Sequence, residues 1–484
     1  MRYSRFAGPN EASDSPVFAI IGGGIAGSVQ AIHLAEKYPW INIHIFEKNK
    51  EILSGTSSMN PGRPTFGFHY RHLETATFCQ DNTVKFTKFL DSIGCPNIFA
   101  KAPQRGIYVL MKDAAQVLDS SVKPVFRPDE IEPIFEKIRD HAIENYSFDE
   151  DFKKHFGPAD QICRRLEKDE YKHFITPELF EGVGSCYETA EKTFDTAGVC
   201  LFLRNYIKRV KNITISTESN VTRVVRIQQP NGSSYQINWT DGTKDCVETA
   251  KFLTLACWER VGQFRKQLGK AEHQPTYNRL KMLAIVEMDI PASRLDTIRP
   301  IFVASGPFSM ISPQKCIEKP NGRIVCRCAC TLAVRTNVMT APDDRPLPAQ
   351  YDKILQGRIS AEAKRKMAMP ILEGARQFFA CLSDAKLVDV RFGTVRVPFG
   401  GGNAVDLHDP ASEHHSRDYP GCSNLGEGLF VNEAMKMIYS VYNAEMMVDW
   451  LRAELNGNRV LEAKETEKVV QNVYYNRKYV HATE

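Results

Sequence analysis

The sequence predicts an α/β protein. A parallel-sheet domain is interleaved with a smaller β-sheet domain that carries a helical cap. Three observations predict this. An apolar run breaks into a glycine turn, then a helix, then a second apolar run within residues 17–47. Short apolar or alternating runs, the signature of strands, recur at 106–111, 213–256 and 281–335. Between them, 128–182 is charged and helical in period, with Ile131, Ile134, Phe135 and Ile138 on one face.

The first unit organises the rest. Val17 to Ile21 reads as a buried parallel strand, and Gly22-Gly-Gly-Ile-Ala-Gly27 leads into a helix with small and apolar residues at helical spacing. In a dinucleotide fingerprint each glycine has its own task. Gly22 makes the tight turn, Gly24 lets a pyrophosphate approach the backbone, and Gly27 lets helix and strand pack closely. Ile41 to Phe46 is the second strand. Glu47 at its carboxyl end lies about 20 residues on, where an acid holds a ribose hydroxyl. The alternative, a chance Gly-rich turn, lacks the strand before, the helix after and the acid beyond.

Composition sets the bounds. At 484 residues the chain is long enough for a large core and two domains. Lys plus Arg at 62 against Asp plus Glu at 58 leaves a net charge of only +4, which calls for no nucleic acid. No apolar run approaches a membrane span, and Met1 to Pro16 is polar, so a cytoplasmic protein is expected. Thirteen cysteines scattered through so long a chain fit buried reduced thiols better than a disulfide framework.

In chain order, residues 1–15 form a polar arm. Gly55 to Tyr70 is rich in glycine and small hydroxyls, suiting a loop that donates to phosphate or a ring edge; the plain alternative is a solvated connector. Thr75 to Leu90 is an amphipathic helix. The charge runs within 128–182 read as solvated helix faces of the cap. Thr196 to Val210 is helical, and Ile213–Ile215, Val221–Ile227 and Tyr235–Trp239 alternate as strands, with Asp241-Gly242 as a hairpin turn. Phe252 to Ala256 returns to the first sheet. Lys281–Met288, Phe302–Ser312 and Ile324–Val334 are strands of the second domain, 352–384 is helical, and Val388–Val397 is a strand. Phe399 to Gly428 is a long loop. A strand at Leu429–Val431 and a helix over 436–455 close the fold. The expected division is 16–103, 185–262 and 385–460 for the nucleotide-binding domain. The second domain takes 104–184 and 263–384, and 1–15 and 461–484 are terminal extensions.

This order resembles the flavin-dependent family that contains D-amino-acid oxidase, sarcosine and glycine oxidases and the FAD-linked glycerol-phosphate dehydrogenases. Ile20 to Glu47 with Thr56-Ser-Ser58 is similar to the family's ADP-binding start and flavin-side loop. Val221 to Val224 through Ala256 is similar to the strands beside the adenine, and Gly428 to Asp449 to the ending in which a turn meets the flavin. The resemblance implies FAD held by Gly22, Gly24, Ile25, Ala26, Gly27, Glu47, Lys48, Thr56, Ser57, Ser58, Val221, Lys436 and Met437. The chain departs from the pattern where Ala434-Met435 replaces two glycines, where Cys257-Trp258 follows Leu255-Ala256, and where Thr65 stands in place of a histidine.

In such enzymes a small anionic substrate (an amino acid, amine or hydroxy acid) gives a hydride to the flavin, and oxygen or another acceptor reoxidises it. A fixed guanidinium is the natural anchor for its acid group. Arg396 matches an Arg-Pro strand end of the family, against the alternative of a surface strand arginine; Arg417 resembles a substrate-side arginine of the glycerol-phosphate branch. His69 and Tyr70, after the flavin-side loop, are candidates to reach flavin or substrate. An imidazole there is a base or a buried structural histidine. No metal site is expected. Cys326, Cys328 and Cys330 share one strand face as buried thiols, and His408, His414 and His415 lack a ligand frame. Two alternatives stand beside this reading: an enzyme close to the glycerol-phosphate branch, and a flavin-fold binding or regulatory protein without turnover.

Overall fold

The computed structural model describes residues 15–229, 232–272, 276–398 and 420–457. The apolar strand Val17–Ile21 lies in the middle of a six-stranded sheet. On one side it pairs with Phe252–Leu255, then Leu429–Asn432; on the other with Asn42–Phe46, then Ile213–Ser216, all in parallel. Cys422–Asn424 closes one edge in antiparallel sense.

Alternation along Val17–Ile21 explains why the whole run is apolar. Phe18 and Ile20 face the helices Ile25–Lys37 and Ser440–Leu455, where Phe18 stacks between Phe252 and Phe430 at 5.8 and 5.9 Å. Ala19 and Ile21 face the opposite way, into a small core with Val221, Val224 and Ile237. That core is roofed by a three-stranded antiparallel sheet, Asn220–Gln229, Gly232–Thr240 and Asp245–Ala250. A strand covered on both faces has no polar side to show.

The second sheet has nine strands. Its spine is Thr276–Pro291, which pairs antiparallel with Arg323–Leu332, Asn337–Pro342 and Lys386–Pro398. Ser309–Glu318, Ile301–Val303, Gly106–Met111, Val183–Thr189 and Cys163–Arg165 continue it. The helix Ala361–Arg376 buries Ala368, Ile371, Leu372 and Ala375 on one face, against Cys326, Cys328 and Cys330. These three thiols are fully buried on one side of their strand, as the period of two requires.

Two stretches sit differently from the expected division. Residues 386–398 pair along their length with Thr276–Pro291 and so belong to the second sheet. Residues 185–189 pair there too, with Gly106–Met111. A strand's own residues do not say which sheet it joins; its partner does. The stretch 352–384, expected to be helical, holds the end of the helix Ala349–Leu355 and the helix Ala361–Arg376. Among the described residues no helix is long and apolar enough to cross a membrane.

The charged stretch after residue 128 begins with the helix Pro128–Tyr146. It lies against the helix Leu73–Ser92 and is joined to it by Asp81, which accepts from His141 Nε2 at 2.8 Å and from the Tyr146 hydroxyl at 2.6 Å. The hydrogen bond to Asp81 raises the His141 pKa above its ordinary value, against partial burial. A raised folded-state pKa gives stability that is fully present below the unfolded value of about 6.5 and lost as pH rises through the folded one. Hydrogen exchange of the Pro128–Tyr146 amides, normalised for intrinsic rate, is therefore expected to show less protection at pH 8.5 than at pH 6. His141→Gln should flatten that difference. Equal protection in the wild type at both pH values would remove His141 from the docking of this helix.

Candidate functional site

The site is built outward from the glycine turn. Gly22 has φ +110°, and a Cβ there would run into the carbonyl of Ala256 on the neighbouring strand's end. A Cβ on Gly27 would strike the carbonyl of Gly22, so helix and strand touch backbone to backbone. Gly24 is different. A Cβ there would meet only the Ser57 hydroxyl, at 3.4 Å, with open space otherwise. The helix N-terminus thus opens on a cradle a phosphate can enter.

The hydroxyl-rich loop folds over that cradle. Thr56–Met59 makes one helical turn, and Ser57 Oγ accepts from Ile25 N at 2.9 Å. Glu47 lies at the floor, its carboxylate accepting from Gly23 N at 2.9 Å and Asn49 N at 2.8 Å. Burial pushes its pKa up, and those two amides pull the other way. Each carboxylate oxygen keeps a lone pair for a further donor such as a ribose hydroxyl.

From here a single cavity of about 1280 Å³ runs past Thr56 and Ser57 to Lys436 and on to the wall of the nine-stranded sheet. That exceeds the ~300–1,000 Å³ of ordinary small-molecule pockets and suits a dinucleotide with a small molecule at its far end.

The far end is aromatic and charged. Arg63 is 4% exposed and faces Glu191, which is 1% exposed. Arg63 donates to Glu191 Oε1 through Nε at 2.7 Å and through Nη2. Glu191 Oε2 accepts from Phe66 N at 2.9 Å and from the Tyr108 hydroxyl at 2.6 Å. The guanidinium lies 5.1 Å from the ring centres of both Tyr108 and Phe302. Its Nη1 is buried without a hydrogen-bond partner among the described residues. His69 stacks on the same Phe302 ring at 4.2 Å. Lys436 Nζ sits 4.9 Å over the Tyr70 ring and 3.4 Å from Thr65 Oγ1.

Most of the residues singled out from the sequence meet in this one cavity. Gly22, Gly24, Ile25, Ala26, Glu47, Lys48, Thr56, Ser57, Val221, Lys436, Met437, His69 and Tyr70 all line it. Gly27 and Ser58 stand behind the lining, Gly27 in the helix–strand contact and Ser58 bonded to the Gly55 carbonyl at 3.1 Å. Arg396 is not brought to the cavity. It is 2% exposed and does not line the cavity; its Nη2 donates to Asp343 and Thr276, and its Nη1 faces Glu433, so behind the cavity wall its charge is paired with carboxylates. Arg417 and the histidines at 408, 414 and 415 lie outside the described residues. Sequence reasoning missed Arg63 and Glu191. The available signal was an arginine inside a glycine- and proline-rich loop already singled out; its partner lies 128 positions away.

The three departures from the family pattern share a backbone property. Thr65, Trp258 and Ala434 all have positive φ, at 58°, 49° and 41°. All three line the cavity. The backbone keeps a conformation that glycine adopts freely and other residues adopt at a cost.

A family model described as FAD dependent oxidoreductase matches residues 18–391. No curated protein sequence matches the chain. Among solved structures, L-amino acid deaminase from Proteus myxofaciens in complex with anthranilate aligns at TM-score 0.59 and 16% identity over 94% of this chain and 92% of that one. Glycine oxidase from Geobacillus kaustophilus aligns at 0.56 and 13% over 90% and 94%. L-Proline dehydrogenase from P. horikoshii aligns at 0.55 and 11% over 92% and 94%. At these identities the likeness is one of fold. The open cradle at Gly24, the buried acid at Glu47 and the volume of the cavity fit FAD.

Relief of the Ala434 strain is directly measurable. Ala434→Gly removes a Cβ held at φ 41° and is expected to stabilise the protein by about 1 kcal/mol, seen as a higher unfolding midpoint. A lower midpoint would show that burial of the Ala434 methyl outweighs the strain.

Proposed function

The chain belongs to the FAD-dependent oxidoreductase family, and from that premise we propose that it oxidises a small amino or hydroxy acid whose carboxylate is held by Arg63. The observation that carries this reading is the buried Nη1 of Arg63, unpartnered among the described residues, in the wall of the cavity. A buried guanidinium donor without an acceptor is costly, and a carboxylate that enters the cavity relieves that cost.

The arrangement is pre-organised. Glu191 and the Tyr108 and Phe302 rings fix the plane of the guanidinium before anything binds, so little side-chain entropy is lost on binding. Glu191 already neutralises much of the charge, which favours a monoanionic carboxylate over a phosphate dianion. Bound FAD supplies the hydride acceptor. In this reading His69, on the same Phe302 ring as Arg63, takes the proton from the substrate amine or hydroxyl. Lys436 and Tyr70 close the side of the cavity nearest Ala434 and Met435, where the isoalloxazine edge would lie. Gly24, Ile25 and Ala26 would receive the pyrophosphate, and Glu47 the ribose.

The first experiment is the visible spectrum of the purified protein, before and after anaerobic addition of pooled amino and hydroxy acids. The flavin band is expected to bleach, and splitting the pool identifies the substrate. A band that no member of the pool reduces would favour a binding protein without turnover. Bleaching only when glycerol phosphate is added in a parallel sample, and not by the pool, would favour the glycerol-phosphate branch.

Arg63→Lys then tests the anchor, because it keeps a positive charge beside Glu191 but loses the fork. Flavin content should be unchanged, and KM should rise about 10- to 100-fold, the worth of one hydrogen bond to a charged group. An unchanged KM would sink the assignment. Loss of bound flavin would instead place Arg63 against the cofactor.

A further inference from the structure

Away from the cavity, two thiols meet across a hairpin. Cys316 on Ser309–Glu318 and Cys326 on Arg323–Leu332 are direct register partners of an antiparallel pair, and their Sγ atoms are 2.7 Å apart. The Cys316 amide points away from Cys326 and donates to the Lys101 carbonyl at 3.0 Å. The two residues therefore form a non-hydrogen-bonded pair, the position at which facing side chains come closest and at which Cα separation suits a disulfide.

The two sulfurs differ in access. Cys326 is fully buried in the core under the helix Ala361–Arg376, whereas Cys316 is partly exposed beside a shallow depression that Lys101 and Arg299 also line. Contact with Cys316, together with burial, holds the Cys326 thiol well above its ordinary range.

We propose that Cys316 and Cys326 form a redox-active pair that closes to a reversible cross-strand disulfide on exposure to a hydroperoxide. The Cys316 thiolate attacks one peroxide oxygen, the O–O bond breaks, and Cys316 becomes a sulfenic acid as hydroxide leaves and takes a proton. The Cys326 sulfur then attacks the Cys316 sulfur. The S–S bond forms, the S–O bond breaks, and the Cys326 proton leaves with the hydroxyl as water. The sum is two thiols and one hydrogen peroxide giving one disulfide and two waters; a dithiol reductant reverses it. The bond would fix the register of a strand whose Met310 lines the cavity and whose Ser312 donates to the Pro61 carbonyl beside Arg63 at 2.9 Å.

The test uses the full chain, treated with hydrogen peroxide while folded, then alkylated under denaturing conditions and digested with trypsin without reduction. Cleavage at Lys315, Arg323 and Arg327 puts Cys316 and Cys326 on separate peptides, 316–323 and 324–327, apart from the peptide that carries Cys328. The expected result is one cross-linked species of these two peptides, released by dithiothreitol. Cys326→Ser should instead leave a sulfenic acid at Cys316 that dimedone traps. Both peptides recovered fully alkylated after peroxide, or Cys316 joined to any other cysteine, would overturn the proposal. So would a Cys326→Ser protein, folded by circular dichroism, in which Cys316 resists dimedone.

Discussion

One carboxylate, Glu191, holds the far wall of the cavity together. It is buried at 1% exposure and takes four donors: Arg63 Nε and Nη2, the Phe66 amide and the Tyr108 hydroxyl. Those donors come from the loop after the hydroxyl turn and from the strand Gly106–Met111, so the acid ties the loop to the second sheet. The Glu191 backbone adds to the tie, because its carbonyl accepts from Gly106 N at 2.9 Å. A buried pair of this kind gains little net energy over an apolar pair of the same volume. Removing one partner, however, costs about 3–5 kcal/mol, because the other charge is left stranded. Its worth here is in placement: Arg63 can be buried at the cavity wall only because Glu191 is there.

The strained backbone around the cavity follows a similar logic. Thr65, Trp258 and Ala434, three of the non-glycine residues at positive φ, are held by bonds that a relaxed conformation would break. The Trp258 indole donates to the Thr394 carbonyl at 2.6 Å. Ala434 is bracketed by the Glu433 amide on the Gly421 carbonyl at 2.7 Å and the Met435 amide on the Pro420 carbonyl at 3.2 Å. Thr65 follows Pro64 and turns its hydroxyl back on the Pro64 carbonyl at 2.5 Å. Strain of this size persists where surrounding bonds over-determine the backbone, which is common at ligand sites.

The first sheet and its turn were legible in the sequence because their constraints are local. Three glycines, a flanking strand, a helix and an acid at fixed spacing state the geometry within some thirty residues, and the structure places Gly22, Gly24 and Glu47 as that spacing requires. The charged end was not legible. Arg396 reads as an anchor on its own strand, but its ionic partners Asp343 and Glu433 come from separate segments and hold it behind the cavity wall. Arg63 lies in a loop read for its glycines and small hydroxyls, and nothing near it in the sequence marks Glu191 as the partner that buries it. In both cases a cation's role depends on which carboxylate faces it, and sequence order does not say. The strand Lys386–Pro398 went to the other sheet for the same reason: pairing is set at a distance.

That strand also shows how the two halves of the site are kept in step. One edge pairs with Thr276–Pro291, where Thr394 faces Leu280. Toward the other half of the site, Thr394 N donates to Thr56 Oγ1 at 3.1 Å, and its carbonyl accepts from Trp258. An uncovered sheet edge is a row of unmet donors and acceptors. Here part of it is met by the hydroxyl loop and by the strained turn after Phe252–Leu255. Thr56 and Trp258 both line the cavity near the glycine turn, whereas Phe392 and Val395 on the strand line it from the second sheet. The hydroxyl loop is therefore held by the sheet that walls the far end of the cavity. A shift in either must break the bonds at Thr394, which makes the two ends of the cavity one mechanical unit.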